Sequence, residues 1–83
     1  MIISGKVQGV FFRANSRKKA EELGLKGYAK NIDNGSVEVV VQGKDDKIKL
    51  LVEFLKASPG YSNVDSIKIK NKEFENLKDF RVL

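Results

Sequence analysis

The alternation of strand-like and helix-like segments is the feature that most limits the folds open to this sequence. Apolar residues spaced as in strands occupy 1–7, 26–33, 36–42 and 64–70, and Phe80 and Val82 mark a short closing strand. Helical spacing occupies 14–23 and 44–56. The predicted order is therefore β-α-β-β-α-β, followed by a further short strand.

This order of segments predicts an α+β fold. A β-α-β-β-α-β chain is typical of a ferredoxin-like sandwich, an antiparallel sheet with both helices on one face, here extended by the short C-terminal strand. A chain of 83 residues can build one hydrophobic core, so we expect a single domain over residues 1–83. In this topology the first strand lies inside the sheet. The loop that leaves it should then meet the hairpin between the second and third strands.

Local signals mark the borders of these segments. Gly24 stands where a C-cap glycine ends a helix, and Asn34-Gly35 predicts a two-residue type I′ hairpin turn. Asp45 and Asp46 begin the second helix, where the helix dipole favours acids, and no third metal ligand is near them in sequence. The second helix carries one apolar stripe, formed by Ile48, Leu51, Val52 and Leu55. Residues 58–60 and 71–76 are predicted loops.

The stretch from Gly5 to Arg13 has the layout of an anion-binding loop. Gly5 and Gly9 flank a short polar bridge that interrupts an apolar strand, and a helix follows at once. Glycine-containing turns let successive N–H groups point inward, and the helix N-terminus adds unpaired donors. Arg13 adds a planar fork of donors suited to two phosphate oxygens. We interpret this stretch as a phosphate-binding loop, although turn glycines and a solvated arginine alone would be ordinary.

Asn31 is the second candidate for a role in catalysis. It lies near the end of the second strand, just before the Asn-Gly turn, and in this architecture it can approach the loop. An amide both donates and accepts hydrogen bonds, so it can orient a water molecule without removing its proton. The plainer interpretation is an asparagine that bonds to its own backbone beside a turn.

The absence of histidine and cysteine from the 83 residues limits the chemistry. It excludes histidine- and cysteine-nucleophile phosphatases, Ser-His-Asp triads and metal sites built from His or Cys. A positioned water, an arginine and backbone donors orient a substrate and stabilise charge, but they supply no general acid. The leaving group must then depart unprotonated, as a carboxylate does. These residues therefore suit the hydrolysis of a mixed carboxylic–phosphoric anhydride, and no metal is required.

The net charge of +5 and the sequence pI of about 9.6 suit an anionic partner. The positive charge is spread along the chain, so it does not by itself choose between phosphate and nucleic acid. No apolar run approaches the roughly 18 residues of a membrane span, and the first residues are too short for a signal-peptide core. We expect a cytoplasmic protein with no membrane association.

Two motifs resemble those of the acylphosphatase family. Residues 5–13 are similar to its signature G-x-V-Q-G-V-x-F-R, and residues 24–38 are similar to its second motif G-L-x-G-x-x-x-N-x-x-x-G-x-V-E. The first half of the chain matches closely, and the second half matches more loosely through its helix and the closing strand at 79–81.

The resemblance implies an activity and a set of site residues. It implies an acylphosphatase in which Arg13 binds the substrate phosphate and Asn31 orients the attacking water. It implies that the phosphate also contacts the backbone N–H groups of Gln8, Gly9, Val10, Phe11, Phe12 and Arg13. It further implies a small monomeric enzyme that needs no cofactor and acts on a small-molecule acyl phosphate.

Three other functions remain open on the sequence alone. An RNA-recognition module has the same element order, and residues 26–29 match the start of its aromatic motif, but residues 30–33 lack the stacking aromatics. An acylphosphatase-like domain of a larger carbamoyltransferase would handle a related substrate. A folded but inactive regulatory module would keep the same residues.

Overall fold

The computed structural model describes residues 1–9, 11–57, 60, 62–69 and 77–83. The elements are β1 (Ile2–Lys6), α1 (Phe12–Glu22), β2 (Lys26–Asn31), β3 (Val37–Gln42), α2 (Asp45–Lys56), β4 (Asn63–Lys68) and β5 (Phe80–Val82). Every predicted strand and helix is present in the predicted order. The predicted loops at Ser58-Pro59 and 71–76, and the end of the predicted fourth strand at Lys70, lie outside the described residues.

The strands form one sheet in the order β4-β1-β3-β2-β5. The four longer strands are antiparallel to their neighbours, whereas β5 runs parallel to β2, so the complete sheet is mixed. The strand β1 lies inside the sheet between β4 and β3, as the topology predicted. The architecture is the expected ferredoxin-like fold.

Both helices pack on the same face of the sheet and contact each other. The predicted stripe of α2 is confirmed, since Leu51, Val52 and Leu55 are buried and Ile48 packs against them. The strand residues of this core are Ile3, Ala29, Val37, Val39 and Phe80. Alternate residues of each strand therefore supply one layer, and the helices supply the other. Within the described residues, no helix is long and apolar enough to cross a membrane.

Helix α1 begins at Phe12, earlier than the predicted Ala14. Its buried side consists of Phe12, Ser16 and Ala20, which lie one turn apart. The Ser16 hydroxyl donates to the Phe12 carbonyl oxygen at 2.8 Å, so this polar group is satisfied inside the core. The residue before the helix, Phe11, supplies no side-chain cap, which explains why capping chemistry gave no signal of the true start.

The hairpin between β2 and β3 is not the predicted type I′ turn. A type I′ turn requires positive φ at both Asn34 and Gly35, and only Gly35 has it, at 88°. The Gly35 N–H donates to the Ile32 carbonyl at 3.1 Å, and the Ile32 N–H donates to the Ser36 carbonyl at 2.9 Å. These bonds define a three-residue loop that ends in a left-handed glycine, with the Asn34 side chain accepting from the Ser36 N–H at 3.0 Å.

Gly27 in β2 is a position where an added side chain would damage the sheet. Its φ is 149°, and a Cβ built there would lie 1.8 Å from the Val40 carbonyl oxygen of the paired strand. We expect Gly27→Ala to lower the free energy of unfolding by about 3 kcal/mol or more, because backbone must move to admit it. Urea denaturation followed by circular dichroism measures this change.

Gly35→Ala is the matched control for that measurement. Gly35 also has positive φ, but no atom lies within 4 Å of the position that a Cβ would occupy. Its substitution should cost only the strain of a left-handed alanine, about 1–2 kcal/mol. Equal losses in both variants would show that steric contact with Val40 is not what requires a glycine at position 27.

Candidate active site

Three strand ends meet at one edge of the sheet. The strands β1 and β2 are both antiparallel to β3, and β5 is parallel to β2, so all three run in the same direction. Their last residues are Lys6, Asn31 and Val82. The loop that connects β1 to α1 leaves the sheet at this edge. The topology therefore brings the predicted phosphate-binding loop, Asn31 and the end of β5 together.

The loop from Val7 to Phe11 is anchored at both ends and turns sharply between them. Val7 and Phe12 are each only 1% exposed, and they fix the two ends in the core. Gly9 has φ 72°, and Phe11 has φ 59°, which is rare for a residue with a side chain. Val10 lies outside the described residues. Positive φ at Gly9 and Phe11 bends the backbone, and such bends can turn N–H groups toward a bound anion.

Several backbone donors of this loop have no hydrogen-bond partner among the described residues. In the described part of the chain, the N–H groups of Gln8, Gly9 and Phe11 donate to no backbone carbonyl. The N–H groups of Phe12 and Arg13 lie in the first turn of α1, where helical bonding leaves donors unused. An anion with several oxygen atoms can satisfy such donors together.

The Gln8 side chain fastens the loop to the β2–β3 hairpin. Its Nε2 donates to the carbonyl oxygens of Ile32 and Ser36, each at 2.9 Å. Ile32 directly follows Asn31, so the loop and the predicted water-orienting residue are held in one unit. The sequence interpretation assigned only the backbone N–H of Gln8. No local sequence pattern indicated the role of the side chain, because its bonds join residues 24 and 28 positions apart.

Arg13 projects from the first turn of α1 toward the end of β5. Its Nη1 donates to the Leu83 carbonyl oxygen, and the Leu83 N–H donates to the Ala29 carbonyl at 2.9 Å. The guanidinium group therefore lies at the end of β5, the strand that pairs with β2. A guanidinium has five N–H donors, so this contact leaves others available to a ligand.

A cavity of about 240 Å³ opens between the loop, α1 and β5. This volume is several times the roughly 30 Å³ share of a liquid water molecule, so a phosphoryl group with a short substituent can enter. The cavity is lined by Val7, Gly9, Phe11, Phe12, Arg13, Ala14 and Val82. Among these described lining residues, Arg13 alone is charged. The electrostatic character of the cavity is thus positive, with no carboxylate in this lining to repel an anion.

Asn31 lies at the same edge but outside the lining of this cavity. It pairs with Val37 of β3, and directly opposite residues in such a ladder project to the same face of the sheet. Val37 is buried under the helices, so Asn31 projects from the helix-covered face, where it is exposed at the end of the strand. Within the described residues its side chain makes no hydrogen bond. Its amide is therefore free to bind a water molecule.

The described residues provide no site for a metal ion. They contain no group of three or more His, Cys, Asp or Glu side chains that could hold one. The adjacent Asp45 and Asp46 begin α2, in its first turn, as their sequence position predicted. The edge at which β1, β2 and β5 end carries a set of backbone donors, a guanidinium group and the Asn31 amide.

Comparison of the sequence with known proteins finds the acylphosphatase family both by family model and by individual relatives. The family model described as Acylphosphatase matches residues 1–82. A curated relative from Coxiella burnetii, named Acylphosphatase, is 48% identical over 96% of this chain and 84% of its own length.

Solved structures share the whole fold of this chain. The crystal structure of acylphosphatase from Bacillus subtilis is similar at a TM-score of 0.93 and 31% identity, covering 99% of this chain and 92% of that one. Full-length HypF, crystallised in a phosphate- and nucleotide-bound form, is similar at a TM-score of 0.90 and 32% identity. That match covers 99% of this chain but 11% of the HypF chain.

The link through Gln8 generates a prediction about the loop. Gln8→Glu removes the donor from two carbonyl oxygens and sets a carboxylate against them. We expect the free energy of unfolding to fall by about 2 kcal/mol and inorganic phosphate to bind at least about tenfold more weakly. Urea denaturation and phosphate titration monitored by amide NMR measure the two effects.

Gln42→Glu provides the control, because Gln42 is a half-buried glutamine at the end of β3, away from the loop. It should change stability by less than about 0.5 kcal/mol and leave phosphate binding intact. Unaltered phosphate binding in Gln8→Glu would contradict the anchoring role of the Gln8 side chain.

Proposed function

The chain belongs to the acylphosphatase family and is a hydrolase, and we propose that Arg13, Asn31 and the loop amides are the groups with which it cleaves acyl phosphates. The convergence of these groups at one sheet edge is the observation that carries this proposal. The two bonds from Gln8 to the hairpin hold the loop beside Asn31, and the contact of Arg13 with Leu83 holds the guanidinium group at the same edge.

The phosphoryl group binds where the loop donors and Arg13 meet. The N–H groups of Gln8, Gly9, Phe11, Phe12 and Arg13 surround its oxygen atoms, and the sequence motif adds the N–H of Val10, which lies outside the described residues. The guanidinium group binds two of the oxygens through parallel hydrogen bonds. Charge that develops on the phosphoryl oxygens in a loose transition state is then held by donors that are already in place.

The water attacks from the side of Asn31. The carbonyl oxygen of its amide accepts a hydrogen bond from the water and directs the water lone pair at phosphorus. No strong base is needed, because a loose transition state places little demand on the nucleophile. The rate enhancement comes from holding the water at the correct angle and distance from phosphorus.

The reaction balances without an acid or base from the protein. The water oxygen forms a bond to phosphorus as the bond between phosphorus and the bridging oxygen breaks. The bonding electron pair leaves with the carboxylate, and both water protons remain on the product as dihydrogen phosphate. A carboxylate, with an ordinary pKa of about 4, is stable without protonation, whereas an alkoxide is not. This difference restricts the site to acyl phosphates and excludes simple phosphate esters.

We also propose that the protein acts as a cytoplasmic monomer on small molecules and not on nucleic acid. Tyr28 is the only partly exposed aromatic residue in the described strands. The Lys30 ammonium lies 6.0 Å from the centre of its ring and also pairs with Glu38 at 3.7 Å. A single ring that a cation already approaches is a poor surface for stacking bases.

Hydrolysis of benzoyl phosphate by the purified chain, with a chelator present throughout, tests the function. We expect release of benzoate and phosphate at a rate that the chelator does not change, and no binding of a short single-stranded RNA in a parallel fluorescence titration. Loss of activity on chelation with rescue by Mg²⁺, or RNA binding without hydrolysis, would contradict the proposal. Light scattering at the assay concentration tests the monomer.

Arg13→Lys should lower kcat/KM for benzoyl phosphate by about 10²- to 10³-fold, because an ammonium group cannot form the two parallel bonds of a guanidinium group. Steady-state kinetics measures the loss. Arg17→Lys is the control: Arg17 lies one turn further along α1, is exposed, and pairs with Glu21 at 3.5 Å. Turnover near that of the unchanged protein in Arg13→Lys would remove Arg13 from its role.

Asn31→Ala should lower kcat by about 10²- to 10³-fold and change phosphate affinity by less than about threefold, since it removes orientation of the water and not a phosphate contact. Steady-state kinetics and phosphate titration separate the two effects. Asn63→Ala, at an exposed asparagine that begins β4, is the control. If Asn31→Ala instead abolishes phosphate binding, Asn31 belongs to the phosphate site.

A further inference from the structure

Exposed apolar side chains gather around the candidate active site. Among the described residues, the large hydrophobic side chains that remain exposed are Phe11, Leu50, Ile69, Val82 and Leu83. Phe11, Val82 and Leu83 all lie at the edge where Arg13 projects. Phe11 is 78% exposed although it occupies a strained left-handed conformation that only a few residues with side chains adopt. Neither burial nor easy backbone geometry explains a phenylalanine at this position.

The cavity that is lined by Phe11 and Val82 has two chemically different parts. Gly9 and Arg13 contribute backbone donors and the guanidinium group. The side chains of Phe11, Ala14 and Val82 contribute an apolar wall, and the described lining contains no acidic or uncharged polar side chain. An acyl phosphate has the same division, with a charged phosphoryl group at one end and the acyl group at the other.

The position of Arg13 in the cavity places the acyl group beside this wall. In an in-line displacement the attacking water and the leaving carboxylate lie on opposite sides of phosphorus. The proposed water position is beside Asn31, which lies outside the cavity lining. Arg13 lines the same cavity as Phe11, Ala14 and Val82, so a phosphoryl group bound by Arg13 brings its acyl group beside these side chains.

We propose that Phe11, Ala14 and Val82 form an acyl-binding subsite that selects substrates with apolar acyl groups over those with short or charged ones. This inference rests on the proposed function of the same site. Val82 reaches the subsite because β5 pairs in parallel with β2, opposite Ala29, and so ends beside the first turn of α1. The specificity of the enzyme then depends on a side chain of the loop and a side chain of the last strand.

A series of acyl phosphates tests the subsite without changing the leaving group. Acetate and hexanoate are carboxylates of nearly equal basicity, so acetyl and hexanoyl phosphate differ mainly in the apolar surface they can bury. We expect kcat/KM for hexanoyl phosphate to be about tenfold higher, mainly through a lower KM, given the partial burial of its methylene groups. Succinyl phosphate, with a second carboxylate, should be the poorest of the three. Equal kcat/KM values for acetyl and hexanoyl phosphate would overturn the inference.

Two substitutions test whether Phe11 and Val82 determine the preference for apolar acyl groups. Phe11→Ala should reduce the ratio of hexanoyl to acetyl kcat/KM about fivefold. Val82→Thr replaces a methyl group by a hydroxyl group at nearly the same side-chain volume, and it should reduce this ratio about threefold. Because Val82 lies outside the loop, its variant remains informative if Phe11→Ala disturbs the phosphate site. Ile69→Ala and Val40→Thr, at an exposed and a half-buried apolar residue elsewhere, should leave the ratio unchanged. Unchanged ratios in both Phe11→Ala and Val82→Thr would overturn the inference.

The outcomes separate the two proposals. Hydrolysis of neither acetyl nor benzoyl phosphate would show that the proposed function is wrong, and the subsite would fall with it. Hydrolysis of both, with equal kcat/KM for acetyl and hexanoyl phosphate, would leave the function in place and remove the subsite. The exposed apolar side chains would then require another explanation, such as contact with a protein partner.

Discussion

The site depends on the two hydrogen bonds by which Gln8 joins the loop to the hairpin. The loop has little internal stabilisation, because in the described part of the chain the N–H groups of Gln8, Gly9 and Phe11 bond to no backbone carbonyl. The Gln8 amide compensates by donating to Ile32 and Ser36 in the adjacent hairpin. The position of the loop is thus defined relative to Asn31, and the buried Val7 and Phe12 fix its ends. This link ties the proposed phosphate-binding loop to the hairpin that begins just after Asn31.

The shared direction of three strands brings the parts of the site to one edge of the sheet. Because β1, β2 and β5 run the same way, their ends supply the loop, Asn31 and the carbonyl that contacts Arg13. The strand β3 runs in the opposite direction between β1 and β2, and the residue that precedes it, Ser36, receives one of the Gln8 bonds. The short β5 has a larger role than its length suggests, since it carries Val82 and leads directly to the carbonyl that holds the guanidinium group. The mixed character of the sheet is therefore a requirement of the site.

Sequence patterns predicted the order of elements and the core stripe of α2 because both follow from local periodicity. They placed the start of α1 too late, since Phe11 offers no capping side chain and its left-handed conformation is set by the loop. They predicted the wrong hairpin turn, because Asn34-Gly35 suits two loop lengths and the pairing of β2 with β3 chooses between them. The bonds of the Gln8 side chain join segments 24 and 28 residues apart, so no local pattern could indicate them. The apolar wall was missed for the same reason, as it combines Phe11 with Val82 across the length of the chain.

Phosphate binding by backbone groups and acyl binding by side chains should respond differently to amino-acid substitution. In the proposed site, phosphate recognition rests largely on backbone N–H groups, which almost any substitution leaves in place provided the loop keeps its shape. The proposed acyl recognition, in contrast, rests on the side chains of Phe11, Ala14 and Val82, whose replacement does not remove a phosphate donor. The chemistry is therefore tied to the fold, while substrate preference is tied to a few positions around the cavity. Residues at these positions can differ between proteins of one fold without loss of the reaction, and they are where differences in substrate range are to be sought.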